Sequence, residues 1–113
     1  ILNHGSLIVR RMITASQVEL LRDNIDRVLK AFDAVASGAV DPELEGWYEA
    51  FERDTLTEHA IKRSKGAVLT VNSPPALFDL LETFEACGLS AVVREFFGEP
   101  PMLLSRKGTL RRV

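Results

Sequence analysis

Val18, Leu21, Ile25, Val28, Leu29 and Phe32 recur at helical spacing, while Arg22, Asp23, Asp26, Arg27 and Lys30 fill the positions between them. Plotted at 3.6 residues per turn, the apolar set covers about a third of the circumference, so the segment is a helix with one face to bury. Its ends are marked too. Thr14 with Gln17 three residues on is a capping-box pattern, with Ser16 and Glu19 as an alternative register, and Gly38 suits the C-terminal stop. Two further apolar faces come later: Leu77, Leu80, Leu81 and Phe84, then Leu89, Val92, Val93 and Phe96. Cys87-Gly88 divides these into two helices, Asn72 or Ser73 before Pro74-Pro75 starts the first, and Gly98-Glu99-Pro100-Pro101 ends the second. Three amphipathic helices need a large apolar partner, and that requirement constrains every other element.

The strands available to meet it are few. Ser6-Leu7-Ile8-Val9-Arg10 is a short β-branched and aliphatic run that reads as a strand. Gly66-Ala67-Val68-Leu69-Thr70-Val71 reads as a short strand or an extended lead-in, and Pro101 to Val113 ends in a third strand-like run. The resulting order is β-α-excursion-β-α-α-β, an α+β helical layer with a few strands. Small isolated sheets are marginal in water, so the pattern predicts an interior piece of a larger protein, incomplete as given. The exposed strand-like run at the end and the unheralded start at Ile1-Leu2-Asn3-His4 lead to the same expectation.

Residues 39–66 differ in character and read as a surface excursion. Asp41, Glu43, Glu45, Glu49, Glu52, Asp54 and Glu58 make its first part acidic, and Lys62, Arg63 and Lys65 make its end basic. Trp47, Tyr48 and Phe51 concentrate the aromatic content at spacings that suit a short helix pinned to a neighbour.

Composition removes several functional classes. A net charge of -2 lacks the basic excess of nonspecific nucleic-acid or anionic-membrane binding. A single cysteine, Cys87, forms no intrachain disulfide and fits a reducing cytoplasm. No apolar run approaches the roughly 18 residues of a membrane span. The chain has no Gly-rich phosphate loop, zinc pattern or EF-hand-like alternation of acids.

The co-linear order of three blocks resembles the N-terminal half of the phytanoyl-CoA dioxygenase family of iron(II)/2-oxoglutarate oxygenases. Gly5-Ser6-Leu7-Ile8-Val9-Arg10-Arg11-Met12-Ile13-Thr14-Ala15-Ser16-Gln17-Val18 resembles the opening strand, turn and first long helix. Leu77-Phe78-Asp79-Leu80-Leu81 and Val92-Val93-Arg94-Glu95-Phe96-Phe97-Gly98-Glu99-Pro100 resemble the helix pair that ends in a Gly-Glu-Pro turn. Lys107-Gly108-Thr109-Leu110-Arg111-Arg112-Val113 resembles the strand that runs toward the metal motif.

This resemblance makes residues 1–113 the N-terminal portion of one double-stranded β-helix (jelly-roll, cupin-like) domain. It implies a parent enzyme that uses Fe(II) and 2-oxoglutarate to hydroxylate a small organic or acyl substrate. The helices would buttress the main sheet, residues 39–66 would help shape substrate entry, and the remainder of the parent domain would be the principal partner. Family members hold iron with a His-x-Asp pair and a distant His, and a facial triad of this kind is what non-haem iron needs. Here the histidines are His4 and His59, and neither begins a His-x-Asp, so the chain itself is expected to carry no metal site and no activity.

Among the remaining chemical residues, His59 beside Glu58 reads as an ordinary histidine of a charged excursion, and His4 carries still less. Cys87 reads as an inert thiol, because Glu82 and Glu85 nearby disfavour a thiolate. Lys62, Arg63 and Lys65 suit a phosphate or the charged part of a CoA substrate, against the plainer reading of a solvated face. The last strand carries the functional expectation. With a period of two, Ser105, Lys107, Thr109 and Arg111 point one way, and Leu104, Arg106, Leu110 and Arg112 the other. Lys107, Thr109 and Arg111 are therefore the expected cosubstrate-binding set, facing an anionic keto-acid, while Leu104 and Leu110 pack beneath the helices against Val28 and Phe32. The plainer alternative is a strand edge solubilised by cations. The rival reading of the whole chain is a small α-rich interaction module without catalytic activity, whose apolar helix faces bind a partner. The fragment reading predicts an apolar surface large enough to drive self-association when this piece stands alone.

Overall fold

The computed structural model describes residues 8–50, 61, 63–102 and 108–111. Helix α1 spans Ala15–Ser37 and begins as its sequence dictates. The Thr14 hydroxyl accepts from the Gln17 N–H at 3.2 Å, and the Gln17 carboxamide accepts from the Thr14 N–H at 2.9 Å. Two of the N–H groups that every helix start leaves without a partner are satisfied reciprocally. At the other end Gly38 takes a left-handed conformation (φ 72°), and its N–H closes the last turn on Ala34 and Val35.

Strand β1 (Ala67–Leu69) pairs antiparallel with strand β2 (Thr109–Arg111), with Ala67 opposite Arg111, Val68 opposite Leu110 and Leu69 opposite Thr109. Between them lie a 3-10 turn at Thr70–Asn72, helix α2 (Pro74–Ala86) and helix α3 (Leu89–Phe97). The fold is α+β: three helices and a two-stranded antiparallel sheet among the described residues. No described helix is long and apolar enough to cross a membrane.

One core joins these pieces. Val28, Leu29, Ala31 and Phe32 of α1 meet Tyr48, Val68 of β1, Ala76 of α2 and Leu110 of β2, with Ile25, Leu44 and Trp47 packed around them. The period-two reading of the last strand holds at its described residues: Leu110 is buried, Thr109 and Arg111 are exposed. Gly108 leads into β2 where a Cβ would come within 2.6 Å of the Thr70 hydroxyl, so the Thr70 side chain occupies the space that any residue larger than glycine would need.

Two expectations fail. Ile8, Val9 and Arg10 are not in a strand; Ile8 and Val9 are exposed, and the chain turns at Arg10-Arg11 with Arg11 left-handed (φ 59°). β-propensity expresses fit to a pleated neighbour, and no described strand lies alongside to supply one. The aromatic trio forms no helix at its described members either. A 3-10 turn at Pro42–Leu44, capped by Asp41, gives way to irregular chain through Trp47 and Tyr48. Tertiary packing places these rings: Tyr48 meets Phe32 edge-to-face at 5.0 Å, and the Arg27 guanidinium lies 5.1 Å from the Trp47 ring. Phe51, Ser6, Leu7 and Leu104 lie outside the described residues.

Leu110→Asp should destabilise the fold by more than about 3 kcal/mol, because it buries an unpaired charge against Val28 and Phe32. Thr109→Val, on the exposed face, should stay within about 0.5 kcal/mol. Urea denaturation of the two variants checks the assignment of faces.

Candidate functional site

The strand β2 leaves Thr109 and Arg111 exposed on either side of the buried Leu110. Two-residue spacing on a strand sets their side chains on the same side, about 7 Å apart along the chain. A hydroxyl and a guanidinium there form a donor pair of the kind that takes a carboxylate. Among the described residues Arg111 makes no ion pair, whereas Arg22 faces Asp23 and Arg63 faces Asp33. Lys107, the third member expected of this set, lies outside the described residues, so the structure brings together Thr109 and Arg111 alone.

The basic cluster at the end of the excursion resolves differently. Arg63 grips Asp33 of α1 through both ends of its fork, Nε to Oδ1 at 3.0 Å and Nη2 to Oδ2 at 2.7 Å. That bidentate pair occupies the guanidinium in tying the segment to α1, which removes Arg63 from a phosphate-binding set. Lys65 is exposed; Lys62, His4 and His59 lie outside the described residues. Cys87 is half-buried with its thiol against the Phe84 carbonyl at 3.5 Å, a contact of helix packing.

A second feature, not anticipated from the sequence, is a set of buried polar pins. Asn24 of α1, 3% exposed, donates through Nδ2 to Asp79 of α2 at 2.7 Å, and so locks the two helices in register. Asn72 donates through Nδ2 to the Glu49 carbonyl at 2.8 Å, and the Glu49 N–H donates to the Asn72 carbonyl at the same distance. This two-bond clamp holds the irregular segment that places Tyr48 in the core. The Asn72 Oδ1 and the Ser73 Oγ are buried without a partner among the described residues. Ser73 stands at the start of α2 and its hydroxyl makes no capping bond; Pro75 removes one of the two N–H groups such a cap uses and leaves that of Ala76. The signal in the sequence was only polar residues within apolar runs, which does not say what they bond.

The third feature is apolar. Phe78 (60%) and Phe97 (66%) are largely exposed, along with Leu81, Val92, Phe96 and Met102. A hollow of about 520 Å3 between α2, α3 and the turn that follows is lined by Leu81, Phe84, Leu89, Val93, Pro101 and Met102. Helix α3 has no fully buried residue. Among the described residues no three His, Cys, Asp or Glu side chains converge as a metal site would require.

Comparison with protein-family models, with curated proteins and with solved structures finds no match to this chain.

Asn72→Ala should cost about 1–2 kcal/mol, at the modest end for a buried bond because the lost side chain also removes an unpaired acceptor. The change should loosen Trp47 and Tyr48 while leaving α1 intact. Trp47 fluorescence against helical circular dichroism through a urea titration separates the two.

Proposed function

We propose that these residues form the helical layer and first sheet strands of a double-stranded β-helix oxygenase, whose whole protein uses Fe(II) and 2-oxoglutarate to hydroxylate a small organic or acyl substrate in the cytoplasm. The observation that supports this reading is the division of β2: Leu110 goes into the helical layer, and Thr109 and Arg111 stand on the opposite face. A strand sandwiched between helices and a polar cavity needs that division. Bound Fe(II) with 2-oxoglutarate would supply the oxygen-activating chemistry. The described residues offer no ligand set for the metal, so none of that chemistry is assigned to them. Arg111 and Thr109 suit the carboxylate end of the keto-acid, and their role is to bind and orient it.

The uncovered face of α2 and α3 favours a second reading, a non-catalytic interaction module. Phe78, Phe96 and Phe97 are the large anchors such a surface uses, and the same face is where self-association of the isolated piece would occur.

Two measurements discriminate. In the whole oxygenase, Arg111→Glu should raise the KM for 2-oxoglutarate or substrate by about tenfold or more, the loss of one charge-assisted contact, with an unchanged melting temperature. Unaltered kinetics in a protein that unfolds would make the cation structural. The 113-residue chain alone should show no one-to-one micromolar site when titrated with Mn(II) and 2-oxoglutarate. A heat signature for such a site would sink the reading in its present form.

A further inference from the structure

Independently of the oxygenase reading, the edge of β2 away from β1 has no strand beside it among the described residues. The Thr70 N–H donates to the Gly108 carbonyl at 3.1 Å, one residue beyond the paired register of β1 and β2. In an antiparallel ladder, hydrogen-bonded and non-bonded pairs alternate, so the pairs 70/108 and 68/110 turn their backbone groups toward each other. The N–H and C=O groups of Thr109 and Arg111 therefore point away from β1, and the sheet has no further strand there among the described residues.

Beside that edge runs a groove of about 350 Å3 lined by Leu21 and Ile25 of α1, Leu80 and Phe84 of α2, and β2 itself. No β1 residue lines it, which places it on the open side of β2. We propose that this edge and groove together form a strand-addition site for an extended polypeptide segment in which acidic and apolar residues alternate.

Each part of that description follows from the geometry. Two outward N–H and two outward C=O groups on alternate residues are complementary to an extended backbone, in the manner of β-augmentation. The residue opposite Leu110 points to the same face as Leu110 and so enters the apolar groove over Leu21, Ile25, Leu80 and Phe84. The residues opposite Thr109 and Arg111 point to the other face, and the one beside the Arg111 guanidinium, which has no ion-pair partner among the described residues, is best acidic. Charge also decides against a second copy of this chain as occupant. Residues 106–112 include Arg106, Lys107, Arg111 and Arg112, and edge-to-edge pairing of two such strands sets like charges against one another.

The probe is a labelled nine-residue peptide of alternating glutamate and valine, compared with an alternating lysine-valine peptide and with a glutamate-valine peptide carrying a central proline. Fluorescence anisotropy should give the glutamate peptide an affinity at least about tenfold above both controls, with the preference falling as salt rises. Arg111→Glu, on the exposed face, should reverse the order of the glutamate and lysine peptides. Amide exchange should slow at Thr109 and Arg111 on binding and change little at Leu110, whose N–H already serves β1. Equal binding of the proline control, absence of binding at millimolar peptide, protection confined to α2 and α3, or a chain dimer whose own contact slows Thr109 and Arg111 exchange would each overturn the proposal.

Discussion

The core in which Val28, Leu29 and Phe32 of α1 meet Val68 of β1 and Leu110 of β2 is what the other elements depend on. β1 and β2 are three residues each, too short to persist as an isolated ladder. What holds them is the apolar face of α1, which receives Val68 from one strand and Leu110 from the other. The ladder in turn brings together residues some forty positions apart and so closes the α2–α3 segment into a loop anchored at both ends. Gly108 and Thr70 meet at the point of closure, where there is no space for a Cβ.

Polar contacts supply the specificity that this small core lacks. Apolar packing is tolerant of rotation and sliding, whereas Asn24 with Asp79 admits one register of α1 against α2. The Asn72–Glu49 clamp and the Arg63–Asp33 fork do the same for the two ends of the excursion. Each joins segments far apart in the chain. Stability comes mainly from the buried area of α1 and the strands, and the pins choose which arrangement that area stabilises.

The two sides of the molecule are therefore unequal. On the α1 side Val28, Leu29 and Phe32 are covered while Val18 at the start of the face is exposed, and the glycine and threonine caps are closed. On the α2–α3 side the apolar pattern meets less protein: Ala76 and Thr83 are the buried residues of α2, Leu77, Leu80 and Phe84 are half-buried, and Phe78 and Leu81 are exposed. Both functional readings start from this inequality. A sheet partner would cover the groove beside β2, and a larger body would cover Phe78, Phe96 and Phe97; they are different surfaces with different chemistry, one a backbone edge with a cation, the other aromatic.

Helix positions were legible in the sequence because their causes are local. The Thr14–Gln17 box, the left-handed glycines at 38 and 98, and Pro74-Pro75 act within a few residues of themselves. The alternation that puts Leu110 inward and Arg111 outward is also local, since a strand has a period of two whatever it pairs with. Pairing is not local. Ile8 and Val9 have the composition of a strand and no described partner, whereas Ala67–Leu69, read ambiguously, became one because β2 lies beside it. The aromatics at 47 and 48 were placed by Phe32, Arg27 and the Asn72 clamp rather than by their own spacing. Of the expected site, the sequence by itself determined that Thr109 and Arg111 share a face. Which edge of their strand faces β1, and that Arg63 is consumed by Asp33, only the tertiary structure decided, because each depends on residues thirty or more positions away.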